Sequence, residues 1–235
     1  LTILGLLLHI GVLVGLILLQ PDMGSVLVFL FMFICLMFVA KLSYKYILPI
    51  GVAGVASLPF IYKYVLSEYQ QKRIQVFFNP NLDPRGRGYN VIQSKIAVGS
   101  GQLWGKGYLQ GTQNQMGYLP TKYTDFIFSV ISEEFGFIGA LLVTAVLFFI
   151  IYKCFKTAQK ADNAFGRYIC VGVGAMVLFH AFENIGMCIG LMPVTGIPLP
   201  FVSYGGTSLV VNMIAIGLVL SVSYHNKPRS VFDVY

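Results

Sequence analysis

The chain has 235 residues, 57% hydrophobic and 11% charged, with a mean hydropathy of +0.76 and a formal net charge of +7. A soluble domain carries roughly a quarter charged residues, so this composition excludes a disordered chain and argues strongly against a soluble globule. Cys35, Cys154, Cys170 and Cys188 lie in or beside apolar runs with no CxxC spacing, indicating neither a disulfide framework nor a zinc site.

Six apolar stretches approach the length needed to cross a hydrocarbon core of about 30 Å: Leu1–Leu19, Met23–Ala40, Ile47–Leu66, Phe126–Tyr152, Tyr168–Leu191 and Thr207–Tyr224. They predict an all-α polytopic membrane protein, a helical bundle. Pro49, Gly51, Gly54 and Pro59 interrupt the third stretch, which predicts a kink where neighbours satisfy the freed backbone groups. Leu1, not Met, opens the first stretch, as expected for a piece of a longer protein.

The short connections alternate in charge. Lys41 and Lys45, then Lys153, Lys156, Lys160 and Arg167, then Lys227 and Arg229 fall on one side, while 20–22 and 192–204 carry no Lys or Arg. The positive-inside rule puts the basic group and the C-terminus in the cytoplasm. The chain then divides into spans one to three (1–66), an extracellular glycine-rich basic loop (67–124), spans four to six (125–224) and a cytoplasmic tail (225–235). The loop holds seven basic residues (Lys72, Arg73, Arg85, Arg87, Lys95, Lys106 and Lys122) against Glu68 and Asp83. An external basic excess fits an anionic substrate or lipid headgroup better than nucleic acid. Tyr89, Val91, Ile92, Leu103, Trp104 and Tyr108 favour an ordered loop on the membrane surface.

Within the loop, 99–107 superficially matches a P-loop, but Ser100 stands where Gly is required and Gly107 where Ser or Thr is required. The open alternatives are an anion nest beside Lys95 and Lys106 and a flexible surface turn. Asp125 then opens the fourth span. At 100° per residue Ser129 and Ser132 share its face, Glu133 lies nearby and Glu134 points away. Asp125 reads either as an N-terminal cap favoured by the helix dipole or as a functional carboxylate at membrane depth. In the fifth span, His180, Glu183 and Asn184 form an intramembrane polar group. They offer too few ligands for a confident metal site and are expected to pair with one another or with Asn212. Between the last two spans, Met192–Ser208 holds three prolines and three glycines, which forbid a regular helix.

Asn184 through Ser208, with Pro193, Gly196, Ser203, Gly205 and Gly206 at their spacings, resembles the signature of the SEDS family (shape, elongation, division and sporulation proteins). Gln20-Pro-Asp-Met-Gly24, Thr124-Asp-Phe-Ile-Phe128 and Glu133-Glu-Phe-Gly136 are similar to further family motifs in the same order. Val194-Thr-Gly-Ile-Pro-Leu-Pro200 looks like the elongation branch. The resemblance implies a ten-helix protein of the bacterial cytoplasmic membrane with both ends cytoplasmic, of which these six spans would be the last. It implies a peptidoglycan glycosyltransferase that polymerises lipid II at the outer face for cell elongation and shape, working with a class B penicillin-binding protein. It points to Asp125 as the catalytic residue. Thr121 and Tyr123 stand where relatives carry Glu and His, so the roles of those two side chains do not carry over.

General-base attack on a lipid-diphosphate donor needs one carboxylate and positive charge for the leaving group. Arg87, Lys95, Lys106 and Lys122 are candidates for that charge, with Glu133 and Ser203 as further candidate substrate contacts. No cofactor is required by this chemistry, and a divalent cation at the diphosphate stays open. A lipid-linked precursor flippase and a non-catalytic scaffold are the alternatives.

Overall fold

The computed structural model describes residues 2–226 apart from Pro21 and Arg85, and the side chains of 2–4, 44, 47, 50, 55, 58 and 87 are also outside the description. Arg85, the Arg87 side chain and the tail cations Lys227 and Arg229 therefore lie outside the described residues.

The described residues form helices and no strands. Helices α1 (Thr2–Leu19) and α2 (Met23–Val39) are an apolar hairpin, with Asp22 capping α2 by accepting from the Ser25 amide at 3.1 Å. Helix α3 (Tyr44–Phe60) runs through Pro49 and Pro59 and loosens into a π turn over Ile61–Val65. The expected kink takes this form because a proline lacks the amide that would continue the ladder. Among the described residues three helices are long and apolar enough to cross a membrane: α7 (Ile127–Lys160), α8 (Ala164–Ile189) and α9 (Gly206–His225). Helix α8 is the central element, packing against both α7 and α2. Cys154, Cys170, Val171 and Val219 are buried at one end of this packing, and Leu119, Phe126, Met187 and Leu199 at the other.

Residues 67–124 are not one surface loop. They contain α4 (Glu68–Phe78), α5 (Arg87–Ser100) and the short α6 (Thr112–Gln115), with a 3₁₀ turn over Pro80–Leu82. Ser67 and Gln70 form a capping box that starts α4, a signature visible in the sequence. Val91, Ser94 and Ala97 lie on the buried face of α5, which packs on α7 and α8. The sequence predicts an ordered loop here, and its helices escape notice because their apolar stripes are short and flanked by glycine.

Helix α7 is not continuous. Gly136 has φ 66° and ψ −164°, a conformation outside the helical region. The break frees backbone groups, and 101–107 supplies their partners. The Lys106 and Gly107 amides donate to the Glu133 and Glu134 carbonyls at 3.0 Å each. The Phe137 and Ile138 amides donate to the Gln102 and Leu103 carbonyls at 2.8 and 3.3 Å. A Cβ on Gly105 would run into the Glu134 carbonyl, and one on Gly136 into the Gly105 amide. The glycine-rich stretch is thus a backbone patch on a broken helix.

Candidate active site

The site is built at the α5 end of the bundle, on the turn that delivers Asp125. The Thr121 carbonyl accepts from the amides of Thr124, Asp125 and Phe126 at 3.1, 3.1 and 3.3 Å, and Thr121 itself sits at φ 50°. A non-glycine residue there is strained, a feature often found beside functional groups. Asp125 is thereby held before the first residue of α7, half-buried.

The irregular segment 191–205 folds back as a strap over this turn. The Asn184 amide nitrogen donates both to the Asp125 carbonyl at 2.9 Å and to the Ile197 carbonyl at 2.8 Å. The Ser203 hydroxyl donates to the Thr124 carbonyl at 2.6 Å and accepts from the Leu199 amide at 2.7 Å. The Tyr204 amide donates to the Tyr123 carbonyl at 2.8 Å. At Gly196, where φ is 82°, a Cβ would stand 3.7 Å from Asp125 Oδ2. Gly24 of α2 supports the strap from below, since a Cβ there would lie 2.9 Å from Ile197.

Arg73 on α4, a member of the basic segment not singled out by its sequence position, reaches this strap. Its guanidinium donates to the Thr195 carbonyl at 3.2 Å and to the Tyr69 hydroxyl at 3.1 Å. Burial pushes the Asp125 carboxyl above its ordinary value, while the Thr124 hydroxyl and the Arg73 charge pull it partly back. The result is a carboxylate more basic than one in water, with a cation close enough to be felt electrostatically.

The other candidates are placed differently. Lys106 donates to Glu133 at 2.8 Å and to the Thr112 hydroxyl at 2.9 Å. Glu133, fully buried, also accepts from the Gln113 and Asn114 amides. The Asn114 side chain donates to Glu134 at 2.7 Å, and Lys122 donates to the Asn114 carbonyl at 2.7 Å. Lys106, Lys122 and Glu133 are thus joined in one network that holds α6 to α7. Lys95 lies exposed against Gly190 at the C-terminal end of α8, where a cation is favoured by the helix dipole. Ser129 and Ser132 are both buried: the Ser94 and Ser129 hydroxyls are 2.7 Å apart, and Ser94 also donates to the Cys188 carbonyl. The polar strip read from the helix wheel therefore docks α5.

The expected pairing within the fifth span is not formed. Asn184 turns to the strap, Asn212 donates to Ser208 at 3.4 Å, and both Glu183 oxygens are buried without a hydrogen-bond partner. The Thr195 hydroxyl, also unpaired, lies beside Glu183. Among the described residues no group of three or more His, Cys, Asp and Glu is placed to hold a metal ion.

A bundle of apolar helices with a half-buried carboxylate fixed at one end under an irregular strap defines a polytopic membrane protein with a site at the bundle surface. The family model described as "Cell cycle protein", spanning FtsW, RodA and SpoVE, matches residues 2–228, and the chain belongs to that family. It is 40% identical over 211 residues to the peptidoglycan glycosyltransferase MrdB of Escherichia coli K12, covering 90% of this chain and 57% of that protein. It is 45% identical over 159 residues to the peptidoglycan glycosyltransferase RodA of Treponema pallidum, covering 68% of this chain and 37% of that protein. Among solved structures, a chain of a peptidoglycan synthase complex that coordinates polymerisation and crosslinking is 34% identical, with a TM-score of 0.72 over 91% of this chain and 59% of that one. The rod shape determining protein RodA of Thermus thermophilus is 28% identical, with a TM-score of 0.62 over 95% and 56%. The chain thus spans between 37% and 59% of the length of these relatives. It is a helical protein of the bacterial cytoplasmic membrane.

Proposed function

We propose that the chain carries the catalytic carboxylate of a peptidoglycan glycosyltransferase that polymerises lipid II. The single observation behind this reading is the placement of Asp125, half-buried, raised in basicity, held through backbone carbonyls of 124–125 by Ser203 and Asn184, and within the electrostatic reach of Arg73. A helix cap would need none of these supports.

In the proposed step Asp125 takes the proton from the acceptor sugar hydroxyl. That oxygen forms the new bond to the anomeric carbon of the lipid-linked donor, and the bond from that carbon to the diphosphate oxygen breaks. The diphosphate leaves with its electron pair as an anion. Arg73 supplies positive charge on this side, and Lys95 is the further exposed candidate; the expected stereochemistry of a single displacement is inversion. Hydrolysis of an ordinary glycoside commonly needs a second carboxyl as acid, whereas a diphosphate is already a competent leaving group.

The charge alternation of the short connections supports an extracellular site and a cytoplasmic tail. Similarity to a chain of a synthase complex that couples polymerisation to crosslinking supports a class B penicillin-binding protein as partner. The flippase alternative calls for paired discontinuous helices, and the described helices show one such break, at Gly136, closed by its own patch. The test is to incubate the full-length protein and its partner, in vesicles, with labelled lipid II. Polymer supports the transferase, translocation without polymer supports the flippase, and neither supports the scaffold.

A further inference from the structure

The assignments above leave unused a large cleft beside the Asp125 turn. Its volume is about 960 Å³, and its walls come from α4, the 3₁₀ turn, the start of α5 and Pro120. That is the upper range for small-molecule sites, larger than one diphosphate needs. The lining chemistry is distinctive. Among the described lining residues Tyr69 and Tyr89 contribute aromatic rings, Gln75 and Asn90 amides, Lys72 an ammonium group and Asp83 a carboxylate, set between apolar side chains. Lys72 is exposed and forms no ion pair among the described residues.

Each feature narrows the ligand. A lipid chain would leave the amide, ammonium and carboxylate groups of the lining without polar partners. A nucleic acid would want several cations, whereas among the described lining residues the charge of Lys72 is balanced by that of Asp83. A pyranose ring has an apolar C–H face that lies on an aromatic ring, and an edge of hydroxyl and acetamido groups that an amide can both donate to and accept from. One ammonium group then fits an acidic substituent on the sugar or its peptide.

The cleft is coupled to the site by a single side chain. Arg73 lies next to Lys72 on α4, with its guanidinium carbon 4.9 Å from the centre of the Tyr69 ring and a hydrogen bond to the Tyr69 hydroxyl. The same guanidinium donates to the Thr195 carbonyl, one residue from Gly196 and the Asp125 carboxylate. Pro120, which also lines the cleft, begins the turn that leads to Asp125.

We propose that the cleft between α4 and α5 is a glycan-strand subsite. It holds the amino-sugar rings next to the bond made at Asp125, with Tyr69 and Tyr89 as platforms, Gln75 and Asn90 on the ring substituents, and Lys72 on an acidic group of the strand. This rests on the polymerase reading. Its consequence is retention of the growing strand between additions, separate from the chemical step.

The experiment uses the full-length protein with its partner and labelled lipid II, comparing wild type with Tyr89→Ala, Tyr89→Phe and Lys72→Ala. Strand-length distribution and KM for lipid II are read together, with thermal unfolding as the folding check. Loss of one aromatic platform is worth about 2- to 10-fold in occupancy, so Tyr89→Ala shortens the mean strand by that factor. KM for lipid II stays unchanged, Tyr89→Phe restores length because it keeps the ring, and Lys72→Ala, exposed and safe for folding, also shortens strands. In a second arm, a soluble N-acetylglucosamine tetramer is titrated into the Asp125→Asn protein by calorimetry, and adding Tyr89→Ala weakens its binding by the same factor. Unchanged strand lengths in both Tyr89→Ala and Lys72→Ala overturn the proposal. So does a raised KM with unchanged length, which would give the cleft to the incoming substrate, or weakened partner association with unchanged length, which would make it a protein contact. If Asp125→Asn still polymerises, the polymerase reading of Asp125 fails, while the tetramer arm continues to report on the cleft.

Discussion

At Asp125 the fold holds a carboxyl half-buried beneath the Gly196 strap, so ionising it costs more than it would in water. The sign of the consequence follows from that direction. The folded state favours the neutral acid, so the contribution of this group to stability is fully present below the unfolded value and is lost as pH rises through the raised folded value. Asp125→Asn should therefore be at least as resistant to thermal denaturation as wild type at pH 7, a result that differential scanning fluorimetry can check. The base must be ionised to act, so the acid limb of the polymerisation rate should fall above the ordinary carboxylate range, read from a pH–rate profile. Asn184 fixes the site by donating to two carbonyls from one nitrogen. Asn184→Leu leaves the buried Ile197 carbonyl unpaired, at a cost of about 1–3 kcal/mol, and the Asp125 carbonyl with only the weak Cys188 thiol donor at 3.7 Å, and should lower both stability and turnover. That this asparagine mattered was visible as a polar side chain in an apolar span. Its partners were not, because the strap that supplies Ile197 has neither helical nor strand periodicity.

The broken helix α7 shows how an element can look regular in sequence and be otherwise. From Phe126 to Tyr152 the residues read as one span, and Gly136 alone gives little warning, since a single glycine is tolerated inside a helix. What makes it a break is the segment 101–107, which closes the opened turn with backbone hydrogen bonds that hydropathy cannot register. The glycine spacing that superficially matched a phosphate loop was a real signal of close backbone approach, with the partner being another stretch of this chain. Gly136→Ala should cost about 1–3 kcal/mol from backbone strain alone, with a further clash against 103–105, measurable as a lowered midpoint in chemical denaturation. The pair between Lys106 and the buried Glu133 belongs to the same joint. Lys106→Met should lower stability by about 1.5–3 kcal/mol, the worth of a hydrogen bond to a charged group. KM for lipid II should change little by comparison, whereas a direct diphosphate contact would raise it about tenfold or more.

Over the whole molecule, the long spans and the strap were legible because their causes are local: apolar length, basic connections and proline. The helices α4 to α6 were less so, since they are held by tertiary contacts such as Ser94 with Ser129 and Arg73 with Thr195. The orientation derived from charge predicts that, in intact cells, a cysteine placed at Gln115, which is exposed at the end of α6, is labelled by a membrane-impermeant reagent and one placed at the exposed Lys160 is spared. The reverse pattern would turn the site to the cytoplasm. The most direct test of the central claim is polymerisation of labelled lipid II by the full-length protein with its partner, comparing wild type, Asp125→Asn and Asp162→Asn. Asp162 is exposed in the turn between α7 and α8, away from the strap, and its variant should polymerise at the wild-type rate. General-base catalysis contributes about 10²–10⁴-fold, so Asp125→Asn should lose activity by that factor while remaining folded. Polymerisation by Asp125→Asn at the wild-type rate would reduce Asp125 to a structural residue at the start of α7 and contradict the account.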